Sequence, residues 1–178
     1  MKIKVFKILT VAVLFLIVVS FNAIKDKPSQ EHVTPLPTAY TFGVTENEPP
    51  CLRMYEAIEK FAKMYGVPKR YAYGIASSET GYQGPFHWKY KQCQTSCVGA
   101  LGPMQIMPST ADMMWPNKDI SRTRLKNDIE FNVHTSMKLL RQLHDKYNDW
   151  KIVFGCYNTG RPLINDYAIA VYNHQPQF

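Results

Sequence analysis

Strict apolar–polar alternation is scarce along this 178-residue chain, and no segment of it repeats. Without alternation there is little to build a half-buried sheet from, so the fold class reads as mainly α. Without a repeat, the length fits one domain able to bury a proper core once any leader is removed. Acidic residues are missing from one long stretch: no Asp or Glu lies between Glu79 and Asp112. No cysteine closely follows the N-terminal apolar run, which argues against a lipoprotein anchor.

Basic charge is present but concentrated. Residues 1–27 hold five lysines against Asp26, which is +4 of the formal +7. The remainder is a mild bias that suits an anionic envelope surface and is no nucleic-acid signature. Lys2, Lys4 and Lys7 precede the apolar run Ile8 to Val19. That is the layout of a signal peptide or an N-terminal membrane anchor over residues 1–23, and the sequence leaves both open. Export follows from either. Residues 24–50 carry five of the twelve prolines without apolar periodicity and read as a Pro-rich linker. The domain proper is expected over 51–178.

In an oxidising compartment Cys51, Cys93, Cys97 and Cys156 allow two disulfides, in any of three connectivities. His87 with Cys93 and Cys97 matches no familiar zinc-ligand spacing.

Helical periodicity organises the rest. Met54, Tyr55, Ile58, Phe61, Ala62 and Tyr65 share a face ahead of Gly66. A second helix spans roughly 68–80, between Pro68 and Gly81. A long one is expected after Asn127, with Glu130 as its capping-box partner and an apolar line Ile129, Val133, Met137, Leu140, Leu143, Tyr147. Another carries Trp150, Val153, Phe154 and Tyr157 and ends near Gly160; Pro162 opens the last, through Tyr172. Residues 81–108 form a long irregular section rich in Gly, Pro, Gln, Cys and aromatics. A loop of that length inside a compact helical domain is usually functional.

Glu79 ends the second helix on its apolar stripe, in line with Ala72, Ile75 and Ala76. A carboxylate there costs free energy unless it is paired, neutralised or needed. Three separated pieces bear on it: "SETGY" with Glu79, "SCVGALGPMQIMPSTA" from Ser96 to Ala111, and "CYNTG" from Cys156 to Gly160. In that order, over roughly residues 51–172 and including "NDIEFNV", they resemble the lytic transglycosylase domain of the soluble murein transglycosylase type. Three departures stand out: Thr80 replaces the usual serine, Pro103 the usual leucine, and Cys156 and Thr159 the usual alanines.

The resemblance implies a lysozyme-like fold, a single catalytic domain of about six helices with a long active-site loop. It implies cleavage of the β-1,4 bond between N-acetylmuramic acid and N-acetylglucosamine in peptidoglycan, leaving a 1,6-anhydro sugar. It assigns Glu79 as the catalytic acid/base. Ser96, Met104 and Gln105 fall on substrate-groove positions, and Tyr157 and Asn158 on the tyrosine–asparagine pair beside the glutamate. Tyr157 is placed to donate a phenolic hydrogen bond to the carboxylate. No metal or organic cofactor is implied.

The residues agree with this chemistry on their own terms. An ordinary glycosidase uses two carboxylates, and the acid-free stretch after Glu79 supplies none. A helix C-terminus and an apolar stripe both disfavour the charged form and keep Glu79 an acid. Uncharged amides at Gln105 and Asn158 suit sugar hydroxyls. Trp88, Tyr82 and Tyr90 either stack on sugars or cover a core, and His134 and His144 show no evident partner. The alternatives are a goose-type lysozyme-like hydrolase, with Asp112 the nearby second carboxylate, and a catalytically silent wall-binding module. Expected partners are the glycan strands, the membrane through the leader, and a secretion or conjugation apparatus, with wall turnover or a phage equally open. The expected location is the periplasm or cell envelope.

Overall fold

A computed structural model of the chain describes residues 48–178. The expected leader and nearly all of the linker lie outside those residues. The linker's last three residues do not, and the third is helical: Pro50 is the first residue of α1 (Pro50–Tyr65), where its missing N–H costs nothing. Gly66 ends α1 in the left-handed conformation at φ 64°, the usual stop for a helix. There follow α2 (Lys69–Thr80), α3 (Pro108–Met114), α4 (Arg122–Asn127), α5 (Ile129–Tyr147), α6 (Trp150–Thr159) and α7 (Asp166–Asn173). Seven helices stand among the described residues against about six expected; α4 is the addition.

The apolar faces meet as the periodicity predicts. Met54, Ile58 and Ala62 of α1 and Ile129, Val133, Met137 and Leu140 of α5 are fully buried, and the two helices pack together. Their polar flanks are joined by Arg53 Nη2 to Glu130 Oε2 at 2.8 Å. That pair corrects the expected capping box: the cap of α5 is Asp128, whose side chain accepts from the Phe131 N–H, while Asn127 closes α4. A second correction concerns α7. It begins at Asp166 rather than at Pro162, capped by Asn165, whose Oδ1 accepts from the Ala168 N–H at 2.9 Å.

Two glycines set how closely the last helices approach. A Cβ at Gly74 of α2 would lie 2.9 Å from the Cβ of His174, so the missing side chain lets the end of α7 lie against α2. A Cβ at Gly155 of α6 would meet the Leu163 carbonyl oxygen at 1.6 Å. The α6–α7 connection therefore folds back tightly over α6, and α7 is delivered to α2, the helix that carries Glu79. His134 and His144 do have partners. His134 stacks on Phe61 at 4.4 Å and meets Tyr65 Oη at 2.7 Å; His144 stacks on Trp150 at 4.2 Å.

Candidate active site

Glu79 lies in the last turn of α2, which Gly81 closes at φ 68°. The next residue, Thr80, ties that helix end to the loop. Its hydroxyl donates to the Pro103 carbonyl at 2.9 Å and stands 2.8 Å from the Tyr90 hydroxyl. Tyr82 and Tyr90 are both buried, and the Tyr82 hydroxyl donates to the Cys51 carbonyl at 2.8 Å. Of the three aromatic candidates these two therefore cover a core, while Trp88 stays exposed.

The loop between Thr95 and Ile106 is held by two isolated β-bridges, Thr95 with Leu101 and Leu101 with Ile106. Ser96 builds one of its turns, with its side chain accepting from the Ala100 N–H at 2.9 Å. Asn132 of α5, fully buried, clamps the loop from below. Its Oδ1 accepts from the Met104 N–H at 2.8 Å, and its Nδ2 donates to the Leu101 and Leu125 carbonyls at 2.9 and 2.8 Å. A buried amide satisfied at three points fixes a loop firmly, because each partner it lost would be left without water to replace it. Asn132 belongs to the quoted "NDIEFNV", yet nothing in its spacing singled it out.

Met104 is fully buried, with its side chain in the core. Its backbone carries the site instead, since the Met104 carbonyl accepts from the Tyr157 hydroxyl at 2.7 Å. With that proton committed, the Ser136 hydroxyl, 2.9 Å away, donates to Tyr157. The expected bond from Tyr157 to Glu79 is therefore not the one formed. Tyr167 of α7 makes it, with its hydroxyl donating to Glu79 Oε1 at 2.6 Å. Sequence reading missed Tyr167 because it looks like one more apolar residue of the last helix; only the closeness of α7 to α2 reveals its partner.

Burial pushes the Glu79 carboxyl above the ordinary carboxylate range, and the Tyr167 bond opposes that shift. No second carboxylate is among the groups that perturb it. Asp112 is exposed on α3. Burial, and then the Glu79 charge, raise both Tyr157 and Tyr167, so both phenols keep their protons and remain donors. Gln105 is half-buried at φ 49°, and its side-chain amide donates to the Gly102 carbonyl at 2.8 Å. Left-handed backbone at a residue other than glycine is a strained conformation that a fold keeps only where the surroundings enforce it. Asn158 is exposed and accepts from Asn165 Nδ2 at 3.0 Å, linking the end of α6 to the cap of α7. All four cysteines are free thiols; Cys51 and Cys156 are buried, Cys93 and Cys97 exposed.

A cleft of about 750 Å³ is lined by Tyr55, Glu59, Lys69, Tyr73, Phe86 and Phe178 among others, and Glu79 is not part of it. Its Glu59 is already held by Tyr73 at 2.9 Å and Lys69 at 2.7 Å. Glu79, by contrast, is half-buried, with its pKa raised by burial and the Tyr167 hydroxyl as its hydrogen-bond partner.

Residues 56–176 match the family model described as the transglycosylase SLT domain, which is more than half of the chain. The chain belongs to that family. Among solved structures, the 70 kDa soluble lytic transglycosylase SLT70 of Escherichia coli is 23% identical with a TM-score of 0.50, over 66% of this chain and 18% of that one. A complex of the 70 kDa soluble lytic transglycosylase with bulgecin A gives the same values, 23% and 0.50. An inactive mutant of the lytic transglycosylase Slt from Pseudomonas aeruginosa is 25% identical over 59% of this chain and 16% of its own, with a TM-score of 0.46. This chain spans less than a fifth of either enzyme. The SLT domain is thus a mainly α, lysozyme-like fold, with Glu79, Thr80, Tyr157 and Tyr167 gathered where α2, α6, α7 and the loop converge.

Proposed function

We propose that the protein is an exported lytic transglycosylase that cleaves the N-acetylmuramic acid–N-acetylglucosamine bond of peptidoglycan without water. The observation that carries this reading is the half-buried Glu79 carboxyl at the end of α2, its pKa raised by burial and, among the described residues, a phenol on one of its oxygens. Tyr167 occupies Oε1, so Oε2 is the oxygen that holds the working proton. Glu79 gives that proton to the glycosidic oxygen as the C1–O bond breaks, and the departing sugar leaves with its 4-hydroxyl restored. The neighbouring acetamido group shares the positive charge that develops at C1. The Glu79 carboxylate, stabilised by Tyr167, then takes the proton of the muramic acid 6-hydroxyl as O6 bonds to C1. The ring closes to the 1,6-anhydro sugar, and the acid is regenerated.

The remaining residues divide between scaffold and groove. Tyr157 holds the Met104 carbonyl and with it the loop, and Ser96 shapes that loop's turn. Gln105 and Asn158 keep the groove roles, since their amides are not fully enclosed and can meet sugar hydroxyls without charge. Residues 1–23 direct export to the periplasm or envelope, and 24–49 link that segment to the domain. Glu79→Gln tests the centre of this reading: the variant is expected to melt like the unaltered protein and release no muropeptides from purified peptidoglycan. Near-normal release would remove Glu79 from the reaction.

A further inference from the structure

We infer that the tip of the active-site loop, Phe86 and Trp88 flanked by Lys89 and Lys91, is an accessory platform for the glycan strand beyond the sugars at Glu79. The identity of the ligand rests on the function proposed above. Phe86 is 71% exposed and Trp88 63%, with ring centroids 6.3 Å apart. Their exposure is imposed by a built turn. Within it the His87 N–H donates to the Gly84 carbonyl at 3.2 Å and the Tyr90 N–H to the His87 carbonyl at 2.8 Å. Pro85 and Tyr90 are buried on either side, and Tyr82 meets Tyr90 edge-on at 5.0 Å. The loop therefore sends two aromatics into the core and holds two out. Neighbouring apolar rings fixed in water mark a binding surface more often than an accident.

Charge and placement choose the occupant. Lys89 and Lys91 are exposed, and the loop that carries them, residues 80–111, has no acidic residue of its own. A wall strand offers both complements: the C–H faces of its sugars stack on aromatic rings, and carboxylates of its lactyl and peptide groups meet the lysines. The tip is also tied to the reaction centre, because the Tyr90 hydroxyl, two residues from Trp88, meets Thr80, the neighbour of Glu79. On the other side Phe86 walls the 750 Å³ cleft, whose Glu59 is already paired with Lys69.

The test uses the full chain and defined glycan strands, short and long, with Phe86→Ala/Trp88→Ala, the rescue variant Trp88→Phe, and Lys89→Ser/Lys91→Ser. The double alanine variant is expected to lower kcat/KM on long strands relative to short ones by about tenfold, through KM. Trp88→Phe is expected to recover most of the loss, and the lysine variant to flatten the salt dependence. Equal effects on short and long strands would overturn the platform. So would no effect, or a change in oligomeric state by light scattering without one in strand preference. If the unaltered protein releases nothing from any strand, the function itself has failed; normal release indifferent to the tip means that only the platform has.

Discussion

Replacing Asn132 by alanine removes the clamp under the active-site loop without touching any residue assigned to the reaction. The change strips three hydrogen bonds at once, to the Met104 N–H and to the Leu101 and Leu125 carbonyls. Asn132 is fully buried, so water does not replace them. A buried group left unsatisfied costs about 1–3 kcal/mol, and the three together are expected to cost about 3–5 kcal/mol. Against a total of about 5–15 kcal/mol for a domain this is a large share. It corresponds to a fall in Tm of about 12–20 °C for a domain of this size. The assay is thermal melting and urea unfolding of Asn132→Ala beside the unaltered protein. Activity is measured well below both transitions, where release should still drop because Met104, whose carbonyl holds Tyr157, is no longer fixed. A cost below about 1 kcal/mol would refute the clamp, since it would mean that the loop finds its position without Asn132.

Tyr167→Phe keeps the ring and removes the bond that favours the charged form of Glu79, so the Glu79 pKa rises further and the alkaline limb of the pH–rate profile moves to higher pH. A limb that moves to lower pH would contradict the assignment. His134 is held neutral by burial and by Lys138, Lys60 and Lys118, with its pKa lowered from 6.5 to about 4. Stability is then complete above pH 6.5 and is lost as pH falls through 6.5 toward 4, by at most about 3 kcal/mol and nearer 2 after solvent screening. Urea unfolding at pH 7 and pH 5 measures it, and His134→Gln should flatten the dependence. Gly155→Ala forces a methyl to within 1.6 Å of the Leu163 carbonyl, and is expected to cost more than about 3 kcal/mol or prevent folding, read by circular dichroism.

Much of this architecture is written locally. The stops at Gly66, Gly81 and Gly160 and the buried stripes of α1, α2 and α5 follow from helical period and left-handed glycines, which depend on a few neighbouring residues. The awkward position of Glu79 was legible for the same reason. Partner choice was not. Tyr167 lies 88 residues from Glu79, and the phenol expected to meet it, Tyr157, has its proton taken by a carbonyl 53 residues away. Glu130 left the capping box because Arg53, on another helix, offers it a charge. Pro162 yielded the start of α7 to Asn165 because the chain first packs Leu163 against Gly155. Each difference is a long-range contact outweighing a local preference.

The central claim is that Glu79 works as the single acid/base of a reaction that excludes water. Mass measurement of the muropeptides released from purified peptidoglycan by the full chain tests it most directly. The expected products are one water lighter than those of a hydrolase and carry 1,6-anhydro ends, with none released by Glu79→Gln. Hydrolysed reducing ends, at the mass a lysozyme would leave, would contradict it.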